Sequence, residues 1–346
     1  MKKLYKQLIL VTILSILPIS VLFLKYYLKH NSAAYDFERT IEQTISKAVR
    51  LDVKYNSYYF AGQFKDKIYL GNYTTNNHLL EIDTALRLRK AINIDVTALT
   101  NKQEPLKISV TDGNFYLSNG TNRTIYKGKV GSWLAVPHNI YIPYFHQSLP
   151  VSDQSIVFRY VNANNQQNSL RKENTFSGSY ENLNLLEKHV DGLFCTDGIL
   201  TKNNLHQLVY MYYYRNQILI MDTNLVLIKK IKTIDPIDST RFTVTNNNNQ
   251  ISKTINSPSL LVNANCSSWK QHLYIQSKIM GRKEDRTLFL ASTVIDIYDT
   301  EKNTYLHSIY LPNQNGNSTK SFQVIDKYIY TLSDHFITRH DIELPL

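Results

Sequence analysis

The stretch YMYYYRNQILIMDTNLVL, Tyr210 to Leu227, decides the fold. An apolar and aromatic run leads into the polar turn Arg215-Asn216-Gln217. A second run follows at Ile218-Leu219-Ile220, and a third starts at Leu225-Val226-Leu227 after another polar turn. Short apolar runs punctuated in this way read as an antiparallel meander, because the runs are too short and too β-branched for helices.

The pattern repeats on both sides of that stretch. Lys65-Asp66-Lys67 leads to Ile68-Tyr69-Leu70 and then Leu79-Leu80-Glu81-Ile82-Asp83. Asp112-Gly113-Asn114 leads to Phe115-Tyr116-Leu117 and then Thr124-Ile125-Tyr126. Val294-Ile295-Asp296-Ile297-Tyr298 precedes Tyr305-Leu306, and Asp326-Lys327 leads to Tyr328-Ile329-Tyr330, Phe336-Ile337 and Asp341. The second run often ends in Asp. Hairpins repeated at this interval predict an all-β fold, a β-propeller of four-stranded blades around a channel. At about 40–50 positions per blade, residues 51–346 fit six blades, with seven as the alternative. A β-sandwich or an irregular β-domain is the competing architecture. Composition agrees with strands: 25 Tyr and 13 Phe suit pleated surfaces. Eleven glycines exclude collagen-like and glycine-linker classes, and two cysteines exclude a disulfide-dense miniprotein or a multi-thiolate zinc scaffold.

A ring of blades needs a closed seam. The carboxyl end supplies three strands, around Phe322–Ile325, Tyr328–Tyr330 and Phe336–Arg339. Residues 49–55 alternate Val49, Leu51, Val53 and Tyr55, and are expected to pair with 336–341 as the outermost strand of the last blade.

The amino terminus has a different character. Leu8 to Leu24, LILVTILSILPISVLFL, is uncharged, lies between MKKLYKQ and KYYLKH, and would cover roughly 26 Å as a helix. It reads as an uncleaved signal anchor, one N-terminal transmembrane helix. A cleaved export signal ending at Ser32-Ala33-Ala34 is the alternative, disfavoured because Lys25, Lys29 and His30 intervene. Three lysines before the stretch and two after it orient the amino terminus inwards and the bulk of the chain outwards. The expected placement is a bacterial inner membrane, single-pass, with the domain periplasmic. Residues 1–30 are then the anchor, 31–48 a linker and 49–346 the propeller domain. Phe37, Ile41, Ile45 and Val49 form the stripe of a short helix across the linker; an extended tether with Phe37 docked on the domain is the other reading.

Net charge is +11, and Lys2, Lys3, Lys6, Lys25 and Lys29 carry five of those charges ahead of the domain. The remaining excess is modest and lacks the basic block that tracks a phosphate backbone, so no nucleic-acid partner is expected.

Several phrases carry a resemblance: YNSYYFAG (55–62), IYLGNY (68–73), TDGIL (196–200), YMYYYRNQILIMDTNL (210–225), KTID (232–235) and VIDIYD (294–299). They resemble largely uncharacterised, membrane-anchored six-bladed-propeller-like proteins of Gram-negative bacteria. The resemblance implies fold and placement and brings no catalytic residues.

The residues offer little chemistry. There is no H-E-x-x-H, EF-hand loop, Walker-type glycine loop or G-x-S-x-G, and the ten histidines show no helical pair, so no metal and no cofactor is expected. His335 and His340 are five apart on a strand-like segment and would face opposite ways. Cys195 and Cys266 occupy equivalent early positions of successive repeats. They read as two buried free thiols, with a disulfide between neighbouring blades as the alternative. Asp197, Arg215 and Asn216 form the one polar constellation. They read as a structural Asp–Arg bridge, or as a channel-mouth pair gripping a small anion or carboxylate by forked hydrogen bonds. Asn246 to Asn249 reads as a hairpin turn or surface loop. The functional expectation is a membrane-tethered binding or scaffold propeller for an unknown protein or small molecule. The alternative is a propeller-channel enzyme of the lactonase or quinoprotein dehydrogenase kind.

Overall fold

The computed structural model describes residues 5–7, 12, 15–23, 34–42, 45–96, 105–189, 191, 193–240, 244–246, 253–255, 259–314 and 316–342. Strand β1 (Ile45–Asp52) precedes a succession of antiparallel meanders. The first is β2 (Tyr58–Phe64), β3 (Lys67–Asn72), β4 (His78–Asp83) and β5 (Arg89–Asn93). After the short β6 (Asp95–Val96) comes the second: β7 (Lys107–Thr111), β8 (Asn114–Asn119), β9 (Thr124–Lys129) and β10 (Leu134–Pro137). Next are β11 (Gln147–Ser152), β12 (Ser155–Asn162), β13 (Gln167–Asn174) and β14 (Gly178–Asn182), then β15 (Gly198–Lys202), β16 (Leu208–Tyr212), β17 (Gln217–Met221) and β18 (Leu227–Lys232). A hairpin of β19 (Val244–Asn246) and β20 (Lys253–Ile255) frames the Asn-rich loop, whose residues 247–249 lie outside the described residues. The chain continues with β21 (Asn263–Trp269), β22 (His272–Ser277), helix α1 (Arg286–Leu290), β23 (Ser292–Asp299) and β24 (Thr304–Pro312), and ends with β25 (Ser321–Ile325), β26 (Tyr328–Ser333) and β27 (Phe336–Ile342). The fold is all-β, with propeller-like four-stranded sheets.

Turn chemistry explains why the runs become meanders. Asp112 and Gly113 connect β7 to β8 at φ 51° and 76°, the left-handed geometry that a tight hairpin demands. The aspartates that close the third strands cap the next turn: Asp83 accepts from the Arg87 and Leu88 amides, Asp222 from Asn224 and Val226, and Asp299 from Glu301 and Lys302.

The apolar clusters lie between consecutive meanders. Phe115, Leu117 and Ile108 of the second pack on Tyr69 and Leu79 of the first. Ile218 and Ile220 pack on Leu273 and Ile275 of the next meander. Tyr330, Leu332 and Ile337 of the last strands meet Ile68, Leu70 and Ile82 of the first meander, so the succession closes on itself. Strands β16 and β17 are apolar on both faces because each face meets a neighbouring sheet.

Free edges of the first strands are capped by side chains from the adjacent meander. Tyr59 Oη accepts the Ile108 amide at 2.6 Å, the Gln147 amide group bonds both main-chain groups of Leu200, and Ser267 Oγ accepts the Val324 amide. Gly62 sits at a bulge with φ 140°, bridged to Val110; a Cβ there would lie 2.0 Å from the Val110 carbonyl oxygen.

The seam is closed by β1, which pairs antiparallel with β27: Val49 opposite Arg339, Arg50 opposite Thr338, Leu51 opposite Ile337 and Asp52 opposite Phe336. The strand is displaced from the expected 49–55. It begins at Ile45 and stops at Asp52, because Lys54 turns to φ 73° with its amide on Asp52 Oδ1.

Among its described residues the linker is not a helix. Residues 34–42 run extended along the β21–β24 meander. The Tyr35 amide donates to Met280 O, Phe37 O accepts from Arg282, and Thr40 O accepts from Ser308. Phe37 packs with Ile237, Val262 and Ile279, the docked-tether reading. The 3.6-residue stripe failed because Ile45 and Val49 belong to β1, where period two governs. Residues 5–7, 12 and 15–23 are helical. Among the described residues no helix is long and apolar enough to cross a membrane; the rest of the Leu8–Leu24 stretch lies outside them.

Acid should strain the seam. His340 is buried on β27, and burial, with the charge of Arg50 adding to it, pushes its pKa down to about 4. In the unfolded chain it titrates near 6.5. The folded state therefore takes up its proton later than the unfolded one. Stability is full above about pH 6.5 and falls as pH drops towards 4, by about 3 kcal/mol. Denaturant titrations at a series of pH values should show this limb, and His340→Gln should flatten most of it.

Candidate functional site

Alternate residues of the first strands face a common axial cavity of about 950 Å³. Strand β7 shows the alternation most clearly: Ile108 and Val110 are buried in the sheet interface, while Lys107, Ser109 and Thr111 face the cavity. The other first strands contribute mostly hydroxyl and amide groups, including Gln63, Ser148, Thr201, Ser268 and Gln323, with Phe60, Phe145 and Trp269 as apolar surface.

Charge in the cavity is sparse and asymmetric. Lys202 Nζ lies 2.8 Å from Asp112 Oδ2, across the start of the β7–β8 turn. Burial alone would raise the Asp112 pKa, but Lys202 outweighs it and holds the carboxyl below its ordinary value. Lys107 has no such partner. Its ammonium approaches the Tyr59 ring, 5.9 Å from the centroid, and has no carboxylate partner among the described residues. The side chain keeps solvent contact, yet surrounding protein desolvates it enough to lower its pKa. Beside it the Ser118 hydroxyl donates to the Lys107 carbonyl and accepts from Ser148 Oγ at 3.2 Å. His146, two residues before Ser148, is held below its usual value by burial, then by Arg159, so the imidazole is neutral at neutral pH.

Cys266 lines the cavity, and burial pushes its thiol up to about 12, so it stays protonated and is a poor nucleophile. Cys195 is buried elsewhere, in the turn 191–196, where its Sγ accepts the His189 amide. Both cysteines are free, so the inter-blade disulfide is not formed: one thiol faces the axis and the other a loop.

The constellation of Asp197, Arg215 and Asn216 does not come together as a pair at the cavity, and none of the three lines it. Asp197 forms its ion pair with Arg159 of β12. Arg215 is fully buried at the β16–β17 turn; its guanidinium lies 3.6 Å from the Tyr212 ring centroid and donates to Glu187 O. The Asn216 side chain donates to Asp235 O and its amide to Ile237 O, which locks the segment after β18. The cavity wall comes mainly from the first strands; of the turns between second and third strands it reaches Asn119 to Thr121 after β8 but not the β16–β17 turn that carries Arg215 and Asn216. Sequence reading passed over Lys107, Lys202 and Gln323. The signal that could have found them was the alternation of polar residues along the first strand of each repeat.

Among the described residues no group of three or more His, Cys, Asp or Glu side chains could hold a metal ion. His335 bonds its neighbour Asp334, while His340 is buried.

No protein family profile matches the sequence, and no curated protein matches it either. Solved structures do resemble it. Virginiamycin B lyase from Staphylococcus aureus shares 11% identity at a TM-score of 0.50, covering 86% of this chain and 99% of the lyase. A member of the DUF4221 family from Bacteroides vulgatus shares 9% identity at a TM-score of 0.53, covering 89% of this chain and 98% of that one. A protein from Bacteroides fragilis named as exported shares 8% identity at a TM-score of 0.52, covering 90% and 99%. At such identities the likeness establishes the propeller-like fold and carries no activity with it.

Proposed function

We propose that this chain is a six-bladed, membrane-tethered extracytoplasmic binding module that takes a small anionic molecule into its axial cavity. The observation that carries the reading is Lys107, an ammonium with no carboxylate partner among the described residues, on a cavity wall where the other ammonium, Lys202, is neutralised by Asp112. A carboxylate or phosphate would pair with that charge, and Ser118, Ser148 and Gln323 could serve its remaining polar atoms. The count of six is supported by grouping β1 with β25–β27 and by dividing the nine-stranded sheet β5-β4-β3-β2-β7-β8-β9-β10-β6 into β2–β5 and β7–β10, whose strands pair directly at a single bridge, Gly62–Val110. The tether rests on the uncharged Leu8–Leu24 stretch and its lysine flanks, which make residues 1–30 an anchor ahead of the propeller. The Bacteroides fragilis neighbour named as exported is consistent with a periplasmic location.

The test is a calorimetric and thermal-shift screen of small carboxylates, phosphates, neutral sugars and amines on the full-length protein. Anions should bind preferentially, and a ligand at a hundred times its Kd should stabilise the fold by about 2.7 kcal/mol. Lys107→Gln should weaken binding roughly tenfold or more, as expected for loss of a charge-assisted hydrogen bond. Preference for neutral or cationic compounds, or unchanged affinity in Lys107→Gln, would sink the reading. For placement, the protein should stay with membranes after alkaline extraction; a mature chain beginning at Tyr35 would show that the anchor is removed.

A further inference from the structure

The geometry points to the β22–β23 loop, with helix α1, as the surface that lies against the bilayer. This rests on the anchor reading and adds to it a defined facing of the domain. The first docked residue after the apolar stretch is fastened to this loop: Tyr35 bridges to Gly281, and its amide donates to Met280 O at 2.9 Å. The Arg282 amide then donates to Phe37 O, and two ion pairs, Arg282–Asp36 and Lys283–Glu38, tie loop and segment together along their length. Ten residues lie between Leu24 and Tyr35, and the eleven steps from one to the other reach at most about 40 Å fully extended. An inserted anchor therefore keeps this loop within one short tether of the membrane.

The loop is built for such a neighbour. Asp285 caps α1 by accepting the Leu288 amide, yet the helix buries none of its residues. Leu288 is 41% exposed and Leu290 64%, on a helix too short to be stable from propensity alone. Apolar side chains rising from a loop of mixed charge, with Arg282, Lys283 and Arg286 set against Glu284, Asp285, Asp36 and Glu38, suit the headgroup–acyl boundary through apolar contact. The occupant is the lipid interface itself. Leu88, equally exposed at 68%, lies in the β4–β5 turn. Turns between third and fourth strands fall at the opposite end of a meander from those between second and third, so Leu88 faces away.

The experiment reconstitutes full-length protein in nanodiscs of brominated or ordinary phosphatidylcholine, and compares tryptophan emission of Leu290→Trp, Leu288→Trp and Leu88→Trp with wild type, whose Trp133 and Trp269 set the background. Brominated lipid should reduce the added emission of the tryptophans at 290 and 288 roughly twofold or more, and leave that at 88 unchanged. If the protein incorporates but all three positions behave alike, the surface is wrong and the anchor stands. If it fails to incorporate, the anchor reading falls, and this surface with it.

Discussion

Arg39→Ala is expected to lower the unfolding free energy by about 3–5 kcal/mol, the usual cost of removing one partner from a buried ion pair. The Arg39 side chain is completely buried, as are those of Asp296 and Glu284, at 2% and 4% exposure. Its Nε and Nη2 reach the two oxygens of Asp296 at 2.7 and 3.0 Å, Nη1 reaches Glu284, and Nη2 also donates to Ser277 Oγ. Burial opposes the charge, but the two carboxylates outweigh it and raise the guanidinium pKa. Ser308 and Tyr310 hydroxyls donate to the same carboxylates. Alanine would leave two carboxylates stranded with only hydroxyl and amide donors, and would loosen the segment from Tyr35 to Glu42. Urea unfolding followed by tryptophan fluorescence measures the loss. Arg39→Lys should recover part of it, since one ammonium cannot reproduce the fork, and Asp296→Asn in the Arg39→Ala background should recover part by removing one uncompensated charge. A change below about 1 kcal/mol would mean that the buried network holds nothing together.

Truncation after Ser333, which removes β27, should abolish cooperative folding of the whole β-domain. Strand β27 is hydrogen-bonded on both edges, to β26 and to β1, and it supplies Ile337 and Ile342 to the two apolar clusters that flank the seam. Its loss exposes the paired edges of both neighbours and opens the ring, so the damage is not confined to one sheet. Ile337→Ala makes the comparison: it deletes a fully buried side chain and should cost about 2–5 kcal/mol while unfolding remains a single cooperative transition. Circular dichroism and denaturant curves distinguish the cases. A truncated chain that still melts cooperatively with most of its strand content would refute the closed-ring account.

The local half of this structure was legible in the residues. Alternation and turn chemistry determined the strands, because a hairpin places its hydrogen-bond partners within a few residues of each other. The terminal aspartates cap turns for the same reason: Asp83, Asp222 and Asp299 reach amides two to five positions ahead. Even the closure of β1 on β27 could be anticipated, because the missing fourth strand had one well-patterned candidate.

Tertiary structure alone decided which faces meet. Asp197 lies eighteen positions from Arg215 in the chain, yet its partner is Arg159 of the preceding meander, 38 positions away. Arg39 finds its carboxylates 245 and 257 residues away. The cavity wall is gathered mainly from first strands spread from β2 to β25, and nothing in the spacing of Lys107, Lys202 and Gln323 marks them as neighbours. Hydrogen bonds within a sheet are local and repeat, so a sequence carries them openly. Packing between sheets depends on twist, on the number of sheets and on ring closure, which are properties of the whole chain and are written in no single segment of it.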